Sequence, residues 1–341
     1  MSLTPPIAEL EQLQRLIDAG ANHLDVRVVA EVEAAGQCLP VHALTMGSRA
    51  PDAPALGVFG GVHGLERIGA EVALAFLHSV IERLRWDELL HRQLEVLRLV
   101  FMPLVNPGGL WLGTRANPRG VDLMRNAPVE AAGAAPLVGG QRLSAALPWY
   151  RGVAGAPMEA ESAALCELVA HELLGRPFAL TVDCHSGFGV RDRVWFPFAH
   201  SARPIEHLPE LDALAGLLDR THPQHRYLFE PQSHQYRAHG DLWDHLYLRA
   251  RERAPDAVFL PLTLEMGSWL WVKKNPRQLF SRHGIFNPLI EHRQQRVLRR
   301  HVAWLDFMAR AAASWRRWLP AGEDRPAHAQ AALQRWYPPP T

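Results

Sequence analysis

The feature that most constrains the fold is an apolar run that leads through a polar turn into a helical pattern. Residues 55–59 are apolar and few enough for a buried strand. From Ile68 onward, apolar residues recur at three- and four-residue steps, which indicates a helix. His63 and Glu66 lie between the two. In open α/β sheets that edge binds ligands, and an imidazole and a carboxylate at this spacing can both reach one Zn2+.

Spacing alone is weak evidence, because the chain contains 18 histidines. The same His-x-x-Glu spacing occurs at His207 and Glu210, among prolines and without a preceding apolar strand. We therefore interpret this second pair as part of a loop. The strand-to-helix setting favours a metal role for His63 and Glu66, and a third protein ligand must then come from elsewhere.

Composition excludes several classes of function. The 341 residues are enough for one large α/β domain or two smaller ones. The formal net charge is +1, so no bulk field attracts nucleic acid or an anionic membrane. No apolar run approaches the roughly 20 residues of a membrane span. Residues 1–6 have neither a basic nor an apolar targeting segment, and we expect a cytoplasmic location. The three cysteines form no Cys-x-x-Cys pair, which favours reduced thiols.

Hydrophobic periodicity predicts the order of the elements. Helical patterns cover 7–19, 67–85, 161–174 and 289–318, and strand-like runs cover 24–34, 39–48, 55–60, 94–105, 178–182 and 257–264. Residues 127–160 are expected to form a long loop over the sheet edge, and 200–256 only short helical pieces. No repeat or linker is evident. We therefore expect one domain over 1–317 and a Pro- and Ala-rich tail, 318–341, with a low folding signal.

Four of the predicted apolar strands end on polar residues: His63 with Glu66, Asn106, His185 and Glu265. A sheet that places reactive groups at its strand ends builds one site from them. Each residue also has a structural alternative. His185 could be a buried, hydrogen-bonded histidine. Glu265 could be a surface carboxylate, although the apolar run before it makes a charge without a partner costly.

In this order the motifs resemble the zinc carboxypeptidase family of metallopeptidases, including its succinylglutamate desuccinylase and aspartoacylase-like relatives. The resemblance covers roughly residues 50–290. The matching positions are His63 and Glu66, Asn106 to Gly109, Arg115, Gly120 to Asn126, His185 with Ser186, Tyr236 eight residues before Asp244, and Glu265. The resemblance implies an α/β fold: a single domain whose central sheet is mixed and largely parallel, with helices on both faces.

The resemblance also implies the metal and the catalytic groups. His63, Glu66 and His185 would hold one Zn2+ per chain and leave a coordination position for water. Glu265 would act as the general base. Arg115 would face the oxyanion that develops during the reaction.

The remaining implied residues bind substrate or orient a ligand. Arg125 and Asn126 would hold a free carboxylate, Tyr236 would close over the substrate, and Asp122 would orient a ligand histidine. An exposed basic loop is the alternative for the two arginines, and a core position is the alternative for Tyr236. Met124 stands where the family usually has Asn, which removes one polar contact to the substrate terminus.

The leading functional hypothesis is a zinc-dependent hydrolase that cleaves an amide next to a free carboxylate in a short peptide. A deacylase of N-acylated amino acids is the second, because those relatives share the same metal motif. The third is a binding protein that keeps the fold without turnover. Neither nucleic acid nor a membrane is expected as a partner, and the oligomeric state is left open.

Overall fold

The computed structural model describes residues 7–339, within which eight strands form one mixed sheet accompanied by ten helices. The strands are β1 (Asp25–Ala34), β2 (Gln37–Gly47), β3 (Ala55–Gly60), β4 (Arg98–Met102), β5 (Phe178–Ser186), β6 (Arg193–Phe196), β7 (Leu228–Pro231) and β8 (Val258–Met266). The helices are α1 (Ala8–Ala19), α2 (Arg67–Arg83), α3 (Glu88–Val96), α4 (Pro107–Leu112), α5 (Ala160–Glu172), α6 (Leu208–Thr221), α7 (Leu242–Arg253), α8 (Trp269–Lys274), α9 (Glu291–Ala313) and α10 (Asp324–Trp336). Residues 1–6, on which the expectation of no targeting segment rests, lie outside the described range.

The strands follow the order β1-β2-β4-β3-β5-β8-β6-β7 across the sheet. The four neighbours β4, β3, β5 and β8 run parallel, while β1, β2 and β6 add antiparallel pairs. The expected mixed, largely parallel sheet is confirmed. Every residue of β3 and β5 is buried, as expected for strands that are covered on both faces.

Two helix pairs cover the central strands. α2 packs on α9 and against β3, whereas α5 packs on α7, which contacts β8. α2 also lies very close to β5. The approach is so close that a Cβ atom added to Gly69 would collide with the backbone carbonyl of Cys184. Glycine at this position therefore lets the first turn of α2 reach the end of β5, which brings Glu66 close to His185.

Several predicted boundaries are wrong, and local capping explains one of them. The expected strand at 94–105 is the end of α3 followed by the shorter β4. α3 forms because the carboxylate of Asp87 accepts hydrogen bonds from the backbone amides of Leu89 and Leu90. β5, in turn, runs on to Ser186.

The region 200–256 holds more regular structure than expected. It contains the 14-residue α6, the 12-residue α7 and strand β7. The interpretation of His207 and Glu210 as a loop pair is wrong, because α6 begins directly after His207. Pro209 lies in the first turn of that helix, where a missing amide hydrogen costs little.

The C-terminal segment also differs from its expected low folding signal. Residues 324–336 form α10, which packs against α6. In contrast, residues 127–159 contain no helix or strand beyond a single bridge between Gln141 and Tyr150, as expected for a long loop. No helix among residues 7–339 is both long enough and apolar enough to cross a membrane.

Candidate active site

The predicted reactive groups meet at one edge of the sheet. His63 follows β3, Glu66 precedes the first residue of α2, and His185 and Glu265 lie near the ends of β5 and β8. His185 and Glu265 are direct neighbours in the parallel register of those two strands. All four side chains are buried. The structure therefore brings together residues that are up to 202 positions apart in the sequence.

The side chains of three candidate ligands converge. Nδ1 of His63 lies 2.8 Å from Oε1 of Glu66 and 3.2 Å from Nδ1 of His185, which lies 3.1 Å from Oε2 of Glu66. His, Cys, Asp and Glu are the usual metal ligands. Among the described residues, His63, Glu66 and His185 are the one group of at least three such side chains close enough to share a metal ion. Tetrahedral ligands at Zn–N distances of about 2.0–2.1 Å are roughly 3.3 Å apart, so the spacing suits zinc.

The far nitrogen of each histidine is held by an aspartate. Asp122 lies 3.0 Å from Nε2 of His63, and Asp183 lies 2.7 Å from Nε2 of His185. A carboxylate accepts the Nε2 proton, which leaves the Nδ1 lone pair for the metal side. The predicted orienting contact of Asp122 is therefore present. Asp183 is a second such residue that the sequence interpretation missed.

The electrostatics of this cluster call for positive charge at its centre. Burial alone would raise the pKa of Glu66, but His63 and the hydrogen bond from His185 hold that pKa well below its ordinary value. Burial alone would lower the pKa of His185, but Asp183 and Glu66 raise it well above the ordinary value. A divalent cation supplies the same positive charge to lone pairs that otherwise repel one another. The donor set therefore fits zinc.

Glu265 is the buried carboxyl group beside the ligands. Its Oε1 accepts a hydrogen bond from the backbone amide of Phe188 at 3.0 Å. Burial, followed by the charge of Glu66, raises the pKa of Glu265 to about 8. In its deprotonated form, a carboxylate with a raised pKa is a stronger proton acceptor than an exposed one, which is the property a general base needs.

Arg115 is fixed by two of its three guanidinium nitrogens. Nε donates to Asp122 at 2.9 Å, and Nη1 donates to Glu66 at 3.0 Å. Within residues 7–339, Nη2 has no hydrogen-bond partner, and Arg115 lines the cavity described below. The exposed-loop alternative is therefore wrong for this arginine.

Arg125 is buried beside Tyr236. Its Nη2 donates to the Tyr236 hydroxyl at 3.2 Å, and its other contacts are the backbone carbonyls of Met124 and Val138. It is only 2% exposed, so the exposed-loop alternative is wrong here too. Its hydrogen-bond partners within the described chain are all neutral. A buried guanidinium with no carboxylate in hydrogen-bond contact is costly, which makes this position suited to an anionic ligand.

These groups line a cavity of about 520 Å³. Its further walls are largely apolar and aromatic, and include Met124, Val138, Trp149, Phe188, Trp195, Tyr236, Ile285 and Phe286. Phe188, Trp195 and Tyr236 contact one another, with ring centroids 5.1–6.2 Å apart. The cavity thus combines the candidate metal ligands, the carboxyl group of Glu265, two arginines and a wide apolar wall.

Two predicted polar residues lie outside the cavity wall. The Asn126 side chain accepts from the Glu159 amide at 2.6 Å and donates to the Arg151 carbonyl at 3.1 Å, so it fastens the long loop. Asn106 caps α4 by accepting from the Gly109 amide, and it donates to the Val62 carbonyl. It therefore fixes the backbone next to His63.

The family model described as zinc carboxypeptidase matches residues 31–267 of the chain, which is well over half of its length. The chain belongs to the zinc carboxypeptidase family. Its members are hydrolytic metallopeptidases that use zinc, and His63, Glu66 and His185 form a possible zinc site in this one.

Comparison with individual proteins gives a local sequence match and a shared fold. Carboxypeptidase SOL1 of Arabidopsis thaliana is 35% identical over 75 residues, which are 22% of this chain and 15% of that protein. Bovine thrombin-activatable fibrinolysis inhibitor is 16% identical, with a TM-score of 0.62 over 92% of this chain and 96% of that one. Carboxypeptidase A of Helicoverpa armigera is 18% identical, with a TM-score of 0.55 over 86% and 71%.

Two residues of this zinc carboxypeptidase site escaped the sequence interpretation. Asp183 stands two positions before His185 in a strand, so alternation places both side chains on one face, and this signal was available. Trp195 belongs to the four-residue strand β6, which we did not predict. It lies opposite Thr263, a pairing that no local pattern reveals.

Proposed function

We propose that the protein is a zinc-dependent carboxypeptidase that removes an apolar C-terminal residue from short peptides. The observation that supports it best is the position of Arg125. This guanidinium is buried in the same cavity as the three candidate metal ligands, and its hydrogen-bond partners within the described residues are neutral. A bidentate pair with a peptide's terminal carboxylate would give it a carboxylate in direct contact.

The neighbouring groups support hydrolysis of the amide adjacent to that carboxylate. His63, Glu66 and His185 would hold a zinc ion, which would supply an activated water and polarise the scissile carbonyl when bound. Glu265 takes the proton of the attacking water and passes it to the leaving nitrogen. Arg115, held in place by Asp122 and Glu66, directs Nη2 to the oxygen on which negative charge develops.

The apolar wall supports a preference for an apolar side chain. Trp195 lies across from Thr263, which is two residues before Glu265 and therefore on the same face of β8. Its indole nitrogen donates to Glu230 at 3.0 Å, so the ring is held in one orientation. An apolar substrate side chain would contact this ring without leaving a polar group unpaired.

A matched substrate set tests the proposal. We expect benzyloxycarbonyl-Ala-Leu to release leucine, whereas the same peptide with a C-terminal amide should react at least roughly 100-fold more slowly, because Arg125 loses its partner. N-acetyl-leucine should also be a poor substrate. Faster release of leucine from N-acetyl-leucine than from the peptide would contradict the proposal and favour a deacylase.

Glu265→Gln separates an enzyme from a binding protein. The substitution removes the proton acceptor but keeps the shape of the side chain, so we expect peptide turnover to fall by about 10²–10⁴-fold. Zinc content, measured by metal analysis of protein purified without chelator, should remain near one equivalent. Equal turnover in the wild type and the variant would remove Glu265 from the mechanism. Binding without any turnover in the wild type would favour the binding protein.

A further inference from the structure

A second cavity of about 530 Å³ lies between the end of α6, the following loop and one side of α9. It shares no lining residue with the cavity around the candidate zinc site. Its floor is apolar and buried, and is formed by Leu218, Tyr227, Trp304 and Phe307. Its rim carries Arg226, Arg296 and Arg300, together with two histidines. We call this cavity the α6–α9 groove.

Two of the three rim arginines, Arg226 and Arg296, are exposed and take no part in the ion pairs of the described residues. Arg300 donates to Asp192 at 2.5 Å, which fixes its position. Arg296 and Arg300 are also four residues apart on α9, where like charges repel and weaken a helix. An anion between these side chains would relieve that repulsion.

The floor of the groove is aromatic and closely packed. Trp304 is 3% exposed, and its indole nitrogen has no hydrogen-bond partner among residues 7–339. Buried N–H groups are rarely left without an acceptor. The ring centroids of Trp304 and Tyr227 are 4.9 Å apart, and those of Phe307 and His222 are 5.1 Å apart. The floor is thus a closely packed aromatic surface, and the Trp304 nitrogen lies buried beneath it.

From these observations we propose that the α6–α9 groove is a second binding site, for a small aromatic carboxylate. The aromatic body would lie on Trp304 and Tyr227, while the carboxylate would pair with Arg226 and Arg296 at the rim. An aromatic anion satisfies both halves of the groove, whereas a hydrated inorganic anion would use only the rim. The cavity lies within the range of about 300–1,000 Å³ that is typical of sites for small molecules.

Calorimetric titration with 3-phenylpropionate tests this proposal. The candidate active site also offers an arginine and an apolar wall, so the titration is made in an Arg125→Met background to suppress binding there. We expect one equivalent to bind in that background. Adding Arg226→Ala and Arg296→Ala should weaken this binding by roughly tenfold or more, because both charge-assisted hydrogen bonds are lost.

Arg299→Ala is the matched control. Arg299 is an exposed arginine of α9 that does not line the groove, so its removal changes the net charge without changing the site. The proposal is supported if affinity falls only in the double variant and peptide hydrolysis by the Arg226→Ala/Arg296→Ala protein, with Arg125 intact, equals that of wild type. Equal weakening by Arg299→Ala, or no binding in the Arg125→Met background, would overturn it. The two outcomes that would overturn the proposal are both binding measurements, so they do not depend on the proposed peptidase activity.

Discussion

His63 and His185 turn the same ring atom, Nδ1, toward Glu66, because an aspartate holds the opposite nitrogen of each ring. Asp183 has a second contact, since it also accepts from the indole nitrogen of Trp243 at 2.9 Å. The orientation of His185 therefore depends on a strand residue and on a helix that begins about 60 positions later. Contacts of this kind raise the basicity of a metal ligand as well as fixing its ring.

The first prediction concerns Asp183→Asn. The amide has nearly the shape of the carboxylate but lacks the charge that raises the pKa of His185. We expect zinc affinity to fall by about 10–100-fold, measured by competition with a chromogenic chelator. Thr181→Val is the matched control, because Thr181 is equally buried in β5 and its hydroxyl has no partner among the described residues. Unchanged zinc affinity in Asp183→Asn would contradict the orienting role.

The second prediction concerns Trp195→Ala. Removing the indole enlarges the cavity beside Thr263, so we expect the ratio of kcat/KM for C-terminal Phe over C-terminal Ala peptides to rise by about tenfold or more. Trp195→Phe keeps an aromatic wall and should change this ratio much less. Glu230 keeps its hydrogen bonds from Arg193 and Gln235 in either variant. An unchanged ratio in the alanine variant would place the substrate side chain elsewhere.

At the scale of single elements, α7 links the candidate site to the pH dependence of stability. Asp241 caps α7 by accepting from the amides of Trp243 and Asp244. Burial, followed by the charge of Asp244, raises the pKa of Asp241 from 3.8 to about 7. Between these two values the folded protein keeps a proton that the unfolded chain releases. The free energy of unfolding therefore decreases as the pH rises through this window.

The third prediction follows from that sign. Asp241→Asn keeps a good helix cap but cannot ionise, so we expect its stability relative to wild type to increase from about pH 4 to about pH 7. Urea unfolding at several pH values measures this difference. For Asp87 at the start of α3, hydrogen bonding to Arg83 lowers the pKa from 3.8. The stability of Asp87→Asn relative to wild type should therefore decrease with rising pH below about pH 4 and stay level from about pH 4 to about pH 7. Parallel pH profiles for wild type and Asp241→Asn would contradict the buried-carboxyl interpretation.

Elements with a strong local signal were predicted well, and those that depend on distant contacts were not. The apolar periodicity of α2 and the short apolar run of β3 placed both elements correctly. β6 and β7 have four residues each, and they exist because they pair with β8 and with each other. So short a strand has no period of its own that a sequence window could detect.

At the scale of the whole molecule, α10 joins α6 to the last two strands of the sheet. The indole nitrogen of Trp336 donates to the Phe229 carbonyl of β7 at 2.7 Å, and its ring contacts Phe196 of β6 at 4.9 Å. Arg325 of the same helix donates to Glu210 of α6. The C-terminal helix thereby packs on α6 and ties one carbonyl of the outermost strand β7 to Trp336.

The fourth prediction tests this role with Trp336→Ala. Trp336 is 4% exposed, so truncation should lower the free energy of unfolding by about 3–5 kcal/mol, measured by chemical denaturation. Leu333→Ala in the same helix is the control. Its side chain is 43% exposed, and we expect a much smaller loss. A loss in Trp336→Ala that is as small as the loss in Leu333→Ala would show that the buried face of α10 adds little packing energy.

The sequence by itself determined which reactive groups the protein has and that they lie at strand ends. Parallel strands align their carboxyl ends at one edge, so His63, Glu66, His185 and Glu265 had to meet once β3, β5 and β8 were neighbours. Only the tertiary structure decided which distant groups surround them. Asp183 meets Trp243, Trp195 faces Thr263, and α10 folds back onto β7. Local periodicity reports how one segment buries its own apolar face, whereas these contacts depend on which strands and helices are neighbours in the folded structure.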